Sequence, residues 1–576
     1  MKASNRREVI ADTALLSGLW LVSILIVNPI GNFPLNDDFS YGLTVEHLLE
    51  TGDYRPLPWF WAPFITNALW GTIFCVPAGF SFTALRVSTL VMGWFAIMGS
   101  YYLAVELRGD RYVAVLAAMT LAFNPLFHAL SYSFMTDVTF TAISIWAAYF
   151  FACSLRTERI SVLAIGTALS VAATLSRQIA LCVPLAFLIT TFMTSRYRPR
   201  AIVIASLPGL LCIGSFLSFR WWLRASGREP ALIDPKINQI MQTLGSIHSL
   251  LTTFPEHLFV ASLYLGLFLS PLLLVSIGFP RRRPSMASTV FSVIWFCIVA
   301  AGAAIHVGLL NSGIAQPLLM PVGYNILAPT GIGPVMLRDV AILQIDNFPP
   351  LPIAFWAAVT VLSVTGAIAL IWRLSQYLWS AAHLLFRPNS PIEHTDVLNY
   401  FVFLCGLLYL PPIILAGGMF DEYLIPLVAF LAPAAKGSAG RTRCADGSYR
   451  AHIDFAAYVL VGALAIFSIG STRDYLTWNR VRWQALGDVQ RELHIDAKEI
   501  DGGFEFNALY LYDPRHELNE VSCGVESVRG HSCWWVVRDT FQIGFGPVPG
   551  YRVVKEYTYM HWLPPHLQRI VVLRKD

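Results

Sequence analysis

The residues best suited to chemistry in this sequence are acidic side chains at the ends of long apolar segments. Asp37 and Asp38 come first, in a polar segment that directly follows an apolar run. One carboxylate is enough to cap the helix that the next residues predict, where the helix dipole would also favour it. Two adjacent carboxylates favour a second interpretation, because burial and a like-charged neighbour raise a pKa and create a usable base. The residues alone leave both interpretations open.

A second acid and one cation complete this set. Asp137 begins a later apolar segment, has no cation near it in sequence, and could also cap a helix. Arg177 stands in a tight turn between two apolar segments. An arginine there either extends to phospholipid headgroups or binds a phosphate through its planar guanidinium. Spacing does not decide between these two roles.

The elements that position these residues are membrane-spanning helices. The chain has 576 residues, of which 56% are hydrophobic and 13% charged, and its mean hydropathy is +0.57. Soluble domains carry about 25% charged residues, and a spanning helix needs roughly 20 apolar residues. The sequence predicts about thirteen spans: 11–30, 82–106, 113–130, 138–155, 160–175, 179–194, 201–219, 258–279, 286–306, 352–372, 397–416, 424–435 and 455–469.

The basic residues between the spans predict the orientation. Every second loop is rich in Lys and Arg, beginning with the N-terminus, and such loops remain cytoplasmic during insertion. We therefore expect a protein integral to the plasma (inner) membrane with a cytoplasmic N-terminus. Asp37, Asp137 and Arg177 then share the extracytoplasmic face. The run 11–30 lacks a cleavage site and is expected to remain as the first span.

The chain is predicted to have two parts. Residues 1–470 form the membrane core, with interfacial helices in a first extracytoplasmic loop at 31–81. Residues 471–576 change composition sharply and predict a small extracytoplasmic α+β domain, with strands near 551–559 and 569–573. The sequence leaves open whether Cys523 and Cys533 in this domain form a disulfide. The net charge of +4 gives no indication of nucleic-acid binding.

The acidic motifs resemble those of the polyprenyl-phosphate-dependent membrane glycosyltransferases, which include protein O-mannosyltransferases and the lipid A aminoarabinose transferase. Residues 37–41, Asp-Asp-Phe-Ser-Tyr, are similar to the family's Asp-Glu-x-x-Tyr, and 136–140, Thr-Asp-Val-Thr-Phe, to its Thr-Asp-Val-Pro-Phe. The resemblance implies a C-type glycosyltransferase architecture. It makes Asp37 the catalytic base, Asp38 and Asp137 supporting acids, and Arg177 a ligand of the donor phosphate.

Two segments depart from the family pattern. Residues 60–63, Phe-Trp-Ala-Pro, stand where relatives carry a Glu-Lys-Pro-Pro-like stretch, so a carboxylate and a cation are missing. Residues 420–426 resemble the family's Asp-Arg-Tyr-Leu-Leu-Pro, but Glu422 replaces the arginine. The neighbouring Tyr423 is a candidate contact of the donor phosphate, or an interfacial aromatic residue.

The resemblance implies an inverting glycosyltransferase that moves a sugar from a polyprenyl-phosphate donor to a lipid, glycan or protein acceptor on the extracytoplasmic face. Its partners would be that donor, the acceptor and membrane lipids. No cofactor is firmly predicted, no Cys or His cluster has metal-ligand spacing, and a divalent cation remains possible. The alternative is a transporter, flippase or polymerase for lipid-linked glycans, which would carry charged residues at mid-membrane in several spans.

Overall fold

A computed structural model describes residues 3–107, 110–195, 198–230, 233–277, 286–311, 325–386, 394–415, 419–436, 447–513, 534–536 and 538–576. Cys523 and Cys533 lie outside these residues, so their disulfide stays a prediction. The described part is predominantly helical, with one small sheet near the C-terminus.

The helices follow the predicted apolar segments. In the first part of the chain they are α1 Ala3–Val27, α2 Asp38–Thr51, α3 Ile65–Cys75, α4 Phe82–Glu106, α5 Arg111–Ala122, α6 Pro125–Leu130, α7 Thr136–Thr157, α8 Ile160–Ser176, α9 Cys182–Thr194 and α10 Pro199–Ala225. The later helices are α11 Ile233–Gly245, α12 Ile247–Phe268, α13 Ser270–Ile277, α14 Met286–Asn311, α15 Arg338–Ala341, α16 Ile353–Phe386, α17 His394–Ile414, α18 Ile425–Lys436, α19 Gly447–Glu492 and α20 Phe504–Leu511.

Each predicted span coincides with one helix or with two consecutive helices of the described chain. Nine helices in that part are long and apolar enough to cross a membrane, and several others are shorter apolar helices. The predicted all-α polytopic membrane architecture is thereby confirmed, and the protein is integral to a membrane.

The start of α12 differs from the predicted start of its span. The predicted span 258–279 begins eleven residues too late, because α12 already starts at Ile247. The polar pair Glu256 and His257 and the preceding Pro255 indicated a loop. In the structure His306 Nδ1 of α14 lies 2.9 Å from Glu256 Oε1, so a buried partner allows the carboxylate to sit inside the helix.

Small residues let two of the long helices approach closely. α12 and α16 cross where Gly266 faces Gly366, and a Cβ atom at Gly266 would overlap the backbone of Ala367. Glycine at such a crossing permits backbone contact between membrane helices, where packing rather than burial from water drives association. The bundle that supports the site therefore depends on two glycines at this point.

The C-terminal region forms the predicted small α+β unit. Its sheet has the order β3-β4-β6-β5, built from β3 Ile500–Asp501, β4 Phe541–Gly544, β5 Tyr551–Trp562 and β6 Pro565–Lys575. β3 and β4 are parallel, and the other pairs are antiparallel. A short hairpin, β1 Leu327–Ala328 with β2 Gly331–Ile332, lies earlier in the chain. The expected strands at 551–559 and 569–573 lie within β5 and β6.

A long helix and a buried ion pair attach this unit to the rest of the chain. α19 runs from Gly447 to Glu492, so it continues from an apolar segment into the C-terminal unit without a break. Arg338, just before the α16 span, contacts Asp539 of the unit at 2.8 Å. The division at residue 470 stays a proposal, since one helix passes through it.

Candidate active site

Asp38 joins two loops at one end of the helix bundle. Its carboxylate accepts hydrogen bonds from the backbone N–H of Leu35 at 2.5 Å and of Phe134 at 3.2 Å. The side chain is buried, and burial raises the pKa of Asp38 to about 8 against the lowering effect of Arg86. Asp38 thus holds the first loop against the segment that precedes Asp137, and no substrate can reach it.

Arg86, which the sequence analysis did not single out, organises the same region from inside α4. Its guanidinium donates to the backbone carbonyls of Tyr132 at 2.6 Å, Gly31 at 3.0 Å and Phe33 at 3.0 Å. A buried arginine inside an apolar span is costly without such acceptors. An arginine within a predicted span was therefore a signal that the sequence offered.

Asp37 has a different environment from its neighbour. It is the residue before α2, but its side chain makes no capping hydrogen bond, so the capping interpretation is wrong in this structure. The residue is partly exposed, and its Oδ1 accepts a hydrogen bond from Trp59 Nε1 at 2.9 Å. Burial, with smaller contributions from the charges of Glu505 and Asp137, raises the pKa of Asp37 to about 6 against the lowering effect of that hydrogen bond. Asp37 is therefore a partly exposed residue with an unusually basic carboxylate.

Asp137 and Arg177 form an ion pair. Asp137 lies in the first turn of α7, and Arg177 directly follows α8, an antiparallel neighbour of α7. Nη1 of Arg177 lies 2.6 Å from Oδ1 of Asp137, and Nη2 lies 3.4 Å from Oδ2. The side chains are 15% and 1% exposed, respectively, so Arg177 is held inside the protein and does not extend to the bilayer surface.

Tyr423 stands beside this pair. The guanidinium carbon of Arg177 lies 5.1 Å from the centre of the Tyr423 ring, a cation–π arrangement. The backbone carbonyl of Tyr423 accepts a hydrogen bond from the Tyr409 hydroxyl at 3.0 Å. Tyr423 thus fixes one face of the guanidinium, and its ring is packed within the site.

The loop that carries Asp37 is tied to the helix end that carries Arg177. The backbone N–H of Phe64 donates to the carbonyl of Ser176 at 3.3 Å, and the Thr66 hydroxyl donates to the carbonyl of Ala172 at 2.7 Å. The hydroxyl of Ser176 lies 2.6 Å from Oδ1 of Asn67. All five sequence-predicted site residues therefore belong to one region, at one end of the bundle.

Glu422 contributes to structure at this region. Asp421 accepts hydrogen bonds from the backbone N–H groups of Ile326 and Leu327, at 3.0 and 2.8 Å, and Glu422 accepts one from Asn325 Nδ2 at 3.0 Å. Burial, together with the charge of Asp421, raises the pKa of Glu422 well above its usual range. The two acids hold the β1–β2 hairpin against the segment before α18.

The C-terminal unit also reaches the site. Oε1 of Glu505, in α20, accepts a hydrogen bond from the backbone N–H of Asn36 at 3.3 Å. Its Oε2 accepts one from Arg482 Nη1 at 2.8 Å, and both side chains of that pair are fully buried. Glu505 is 469 positions from Asn36 along the chain. No local pattern in the sequence indicated this contact.

Metal binding gains no support from the part of the chain that the structure describes. Within it, no group of three or more His, Cys, Asp or Glu side chains is arranged to hold a metal ion. The possible divalent cation stays an open expectation.

Comparisons with known proteins give distant likenesses in structure. ArnT from Cupriavidus metallidurans, bound to undecaprenyl phosphate, is 13% identical with a TM-score of 0.39, over 98% of this chain and 97% of that one. The apo state of the same protein is 13% identical with a TM-score of 0.38, over 99% of this chain and 98% of that one. The oligosaccharyltransferase of Archaeoglobus fulgidus, tethered with an acceptor peptide, is 13% identical with a TM-score of 0.41, over 84% of this chain and 58% of that one. Likenesses this distant carry no argument about individual residues.

The comparison of sequences is more direct. No curated protein matches the chain. Residues 62–222, which include Asp137 and Arg177, match a family model described as dolichyl-phosphate-mannose-protein mannosyltransferase. The chain is therefore similar to the membrane glycosyltransferases that use polyprenyl-phosphate sugars, as the acidic motifs indicated.

Proposed function

We propose that the protein is an inverting glycosyltransferase that moves a sugar from a polyprenyl-phosphate donor to a hydroxyl of a lipid, glycan or protein acceptor, on the extracytoplasmic side of the membrane. The observation that carries the proposal is the environment of Asp37. The residue is partly exposed, and its surroundings raise its pKa to about 6. A carboxylate in this range is largely ionised at neutral pH, yet it is more basic than an ordinary aspartate, as general base catalysis requires.

Asp37 would take the proton of the attacking hydroxyl. A bond forms between the acceptor oxygen and the anomeric carbon while the bond from that carbon to the phosphate oxygen breaks. The proton passes to Asp37, and polyprenyl phosphate leaves with the electron pair. Inversion follows, because a single displacement occurs and no covalent sugar–enzyme intermediate forms.

Arg177 would stabilise the charge that develops on the leaving phosphate. Its two contacts with Asp137 use two of the five N–H groups of a guanidinium, so up to three can bind phosphate oxygens. Asp137 and Tyr423 orient the guanidinium, which avoids reorganisation during the reaction. Asp38 would act through structure, by fixing the backbone on either side of the site.

The location at one end of the bundle suits an apolar donor. The polyprenyl tail would stay among the membrane helices while the sugar and phosphate reach the acids at the interface. In this proposal the C-terminal unit comprises residues 471–576 and would face the acceptor side. Its residue Glu505 would lie next to the loop that carries the base. The membrane concerned would be the plasma (inner) membrane, with the N-terminus in the cytoplasm.

The test is transfer of radiolabelled sugar from polyprenyl-phosphate donors in membranes that contain the wild type or Asp37→Asn at equal levels. We expect transfer with the wild type and loss of transfer with the variant. If the wild type transfers from none of a range of donors, the donor class is wrong and a transporter or flippase becomes the better explanation. Normal transfer by Asp37→Asn would remove Asp37 as the base.

A further inference from the structure

A cavity lies beside α2, behind the loop that leads to Trp59. Its volume is about 390 Å³, within the range of roughly 300–1,000 Å³ that ligand pockets occupy. Two other cavities, next to Ser100 and next to Thr330, have volumes of only about 30 and 10 Å³. The cavity is lined by Leu43, Thr44, His47, Arg55, Pro56, Leu57, Pro58, Gly227, Arg228 and Glu229.

The cavity wall belongs to the segments that flank the base. The backbone N–H of Leu57 donates to Thr44 Oγ1 at 3.2 Å, and Trp59, two residues further on, donates to Asp37. Thr44 lies seven residues after Asp37, which corresponds to about 10 Å along a helix. A ligand anchored in the cavity could therefore present a hydroxyl to Asp37 while its far end stays on the cavity wall.

Positive charge surrounds the cavity. Arg228 lies on its wall, 2.8 Å from Asp53, and is placed over the Trp222 ring at 5.1 Å. Glu229 is neutralised by two arginines of α10, Arg220 at 2.9 Å and Arg224 at 2.5 Å. On the cavity wall itself, two arginines, Arg55 and Arg228, stand against one acid, Glu229. Net positive charge remains for an anionic ligand.

Two buried polar atoms at the cavity have no partner among the described residues. They are Nε2 of His47 and Nε of Arg228. Glu46 and Glu50 flank His47 on α2 but do not line the cavity.

The end of α10 next to the cavity has the composition of a membrane interface. Arg220 and Arg224 alternate with Trp221 and Trp222 at the end of α10, and Trp221 is 72% exposed. Exposed tryptophan beside arginine is typical of the membrane interface. Because α8, α9 and α10 run in alternating directions, this end of α10 lies on the same side as Arg177.

Resting on the proposed function, we propose that this cavity binds a phosphate group carried by the acceptor, with Arg55 and Arg228 as its ligands and His47 as a further donor. Guanidinium groups bind phosphate bidentately, and a phosphate held there leaves the Asp37 end of the ligand open to transfer. The acceptor is thus a phosphorylated lipid or saccharide, whose phosphate binds in the cavity while its hydroxyl reacts at Asp37.

The test measures binding to the full-length protein in a nonionic detergent, without donor, by titration calorimetry. The probes are inorganic phosphate, dihexanoyl phosphatidic acid and, as the uncharged control, dihexanoylglycerol. The variants are Arg55→Gln and Arg228→Gln, with Arg491→Gln as the charge-matched control on an exposed part of α19. Arg55 is exposed, so its replacement leaves the core intact even if Arg228→Gln folds poorly.

We expect a phosphate probe to bind the wild type and Arg491→Gln alike. Each cavity variant should weaken its binding by at least about tenfold, the loss of one charge-assisted hydrogen bond. Binding of inorganic phosphate would mean that the phosphate group suffices. Binding of phosphatidic acid alone would identify a lipid-borne phosphate. The proposal would be overturned if neither phosphate probe bound the wild type. It would also be overturned if Arg491→Gln weakened binding as much as the cavity variants do.

The same experiment separates this inference from the proposed function. Asp37→Asn should bind the phosphate probe as the wild type does, because the base does not line the cavity. A protein that binds phosphate at the cavity but transfers sugar from no polyprenyl donor would refute the transferase and leave an anion site. Transfer by the wild type without phosphate binding would refute the cavity alone.

Discussion

Asp37 and Asp137 are carboxylates of one site whose surroundings differ. Asp37 is partly accessible and accepts a hydrogen bond from the neutral indole of Trp59, so its charge is only weakly stabilised. Asp137 is buried and paired with the guanidinium of Arg177. A weakly stabilised carboxylate can take a proton, whereas an ion-paired one is committed to orienting its partner. The comparison supports the proposed roles, with Asp37 as the base and Asp137 as the support.

The largest effect is expected from Asp37→Asn. The amide cannot accept the proton, and loss of a general base lowers rates by about 10²–10⁴-fold. Sugar transfer under single-turnover conditions measures the effect. Asp346→Asn, an exposed acid in the loop before α16, is the matched control and should keep wild-type activity. If Asp37→Asn keeps more than a tenth of the activity, the two acids have been assigned the wrong roles.

The next effect is expected from breaking the ion pair. Arg177→Gln leaves a buried carboxylate uncompensated, which costs about 3–5 kcal/mol of stability, and removes the phosphate ligand. Its melting temperature in detergent and its transfer rate should both fall.

A double variant separates the two losses. Asp137→Leu with Arg177→Met replaces the pair by apolar side chains, so stability should return while transfer stays about 10²–10³-fold reduced. Recovery of transfer along with stability would show that the pair serves only to hold α7 and α8 together.

Trp59→Phe tests whether the indole hydrogen bond sets the pKa of Asp37. The Trp59 hydrogen bond lowers the pKa of Asp37, so its removal raises that pKa above about 6. Because the base works only when deprotonated, the acid limb of the pH–rate profile should move to higher pH. The rate well above that limb should change little. A limb that does not move, or moves to lower pH, would show that Trp59 does not act through Asp37.

Glu505→Gln should give the smallest effect on the pH–rate profile, in the opposite direction, although it also leaves the buried Arg482 without its carboxylate partner and lowers stability. The charge of Glu505 raises the pKa of Asp37, so the neutral amide lowers it and shifts the acid limb to lower pH. The amide still offers an oxygen to Asn36 N–H. Glu556→Gln, a distant acid of the same unit, should leave the profile in place. Equal shifts in both variants would mean that only net charge matters.

The apolar segments of the sequence determined the helical membrane architecture, since each spanning helix must satisfy its own backbone and reads as a continuous apolar run. The motifs at Asp37, Asp137 and Arg177 marked the site. The early start of α12 was not readable, because Glu256 looks like a loop residue until His306 of α14 is known to lie beside it.

What only the tertiary structure decided is how these residues differ from one another. The sequence left capping or catalysis open for the aspartates, and headgroup contact or phosphate binding open for Arg177. The indole beside Asp37, the pairing of Asp137 with Arg177, and the approach of Glu505 join residues that lie 22, 40 and hundreds of positions apart. A pKa and an ion pair depend on burial and on neighbours in space, and a local sequence pattern carries information about neither.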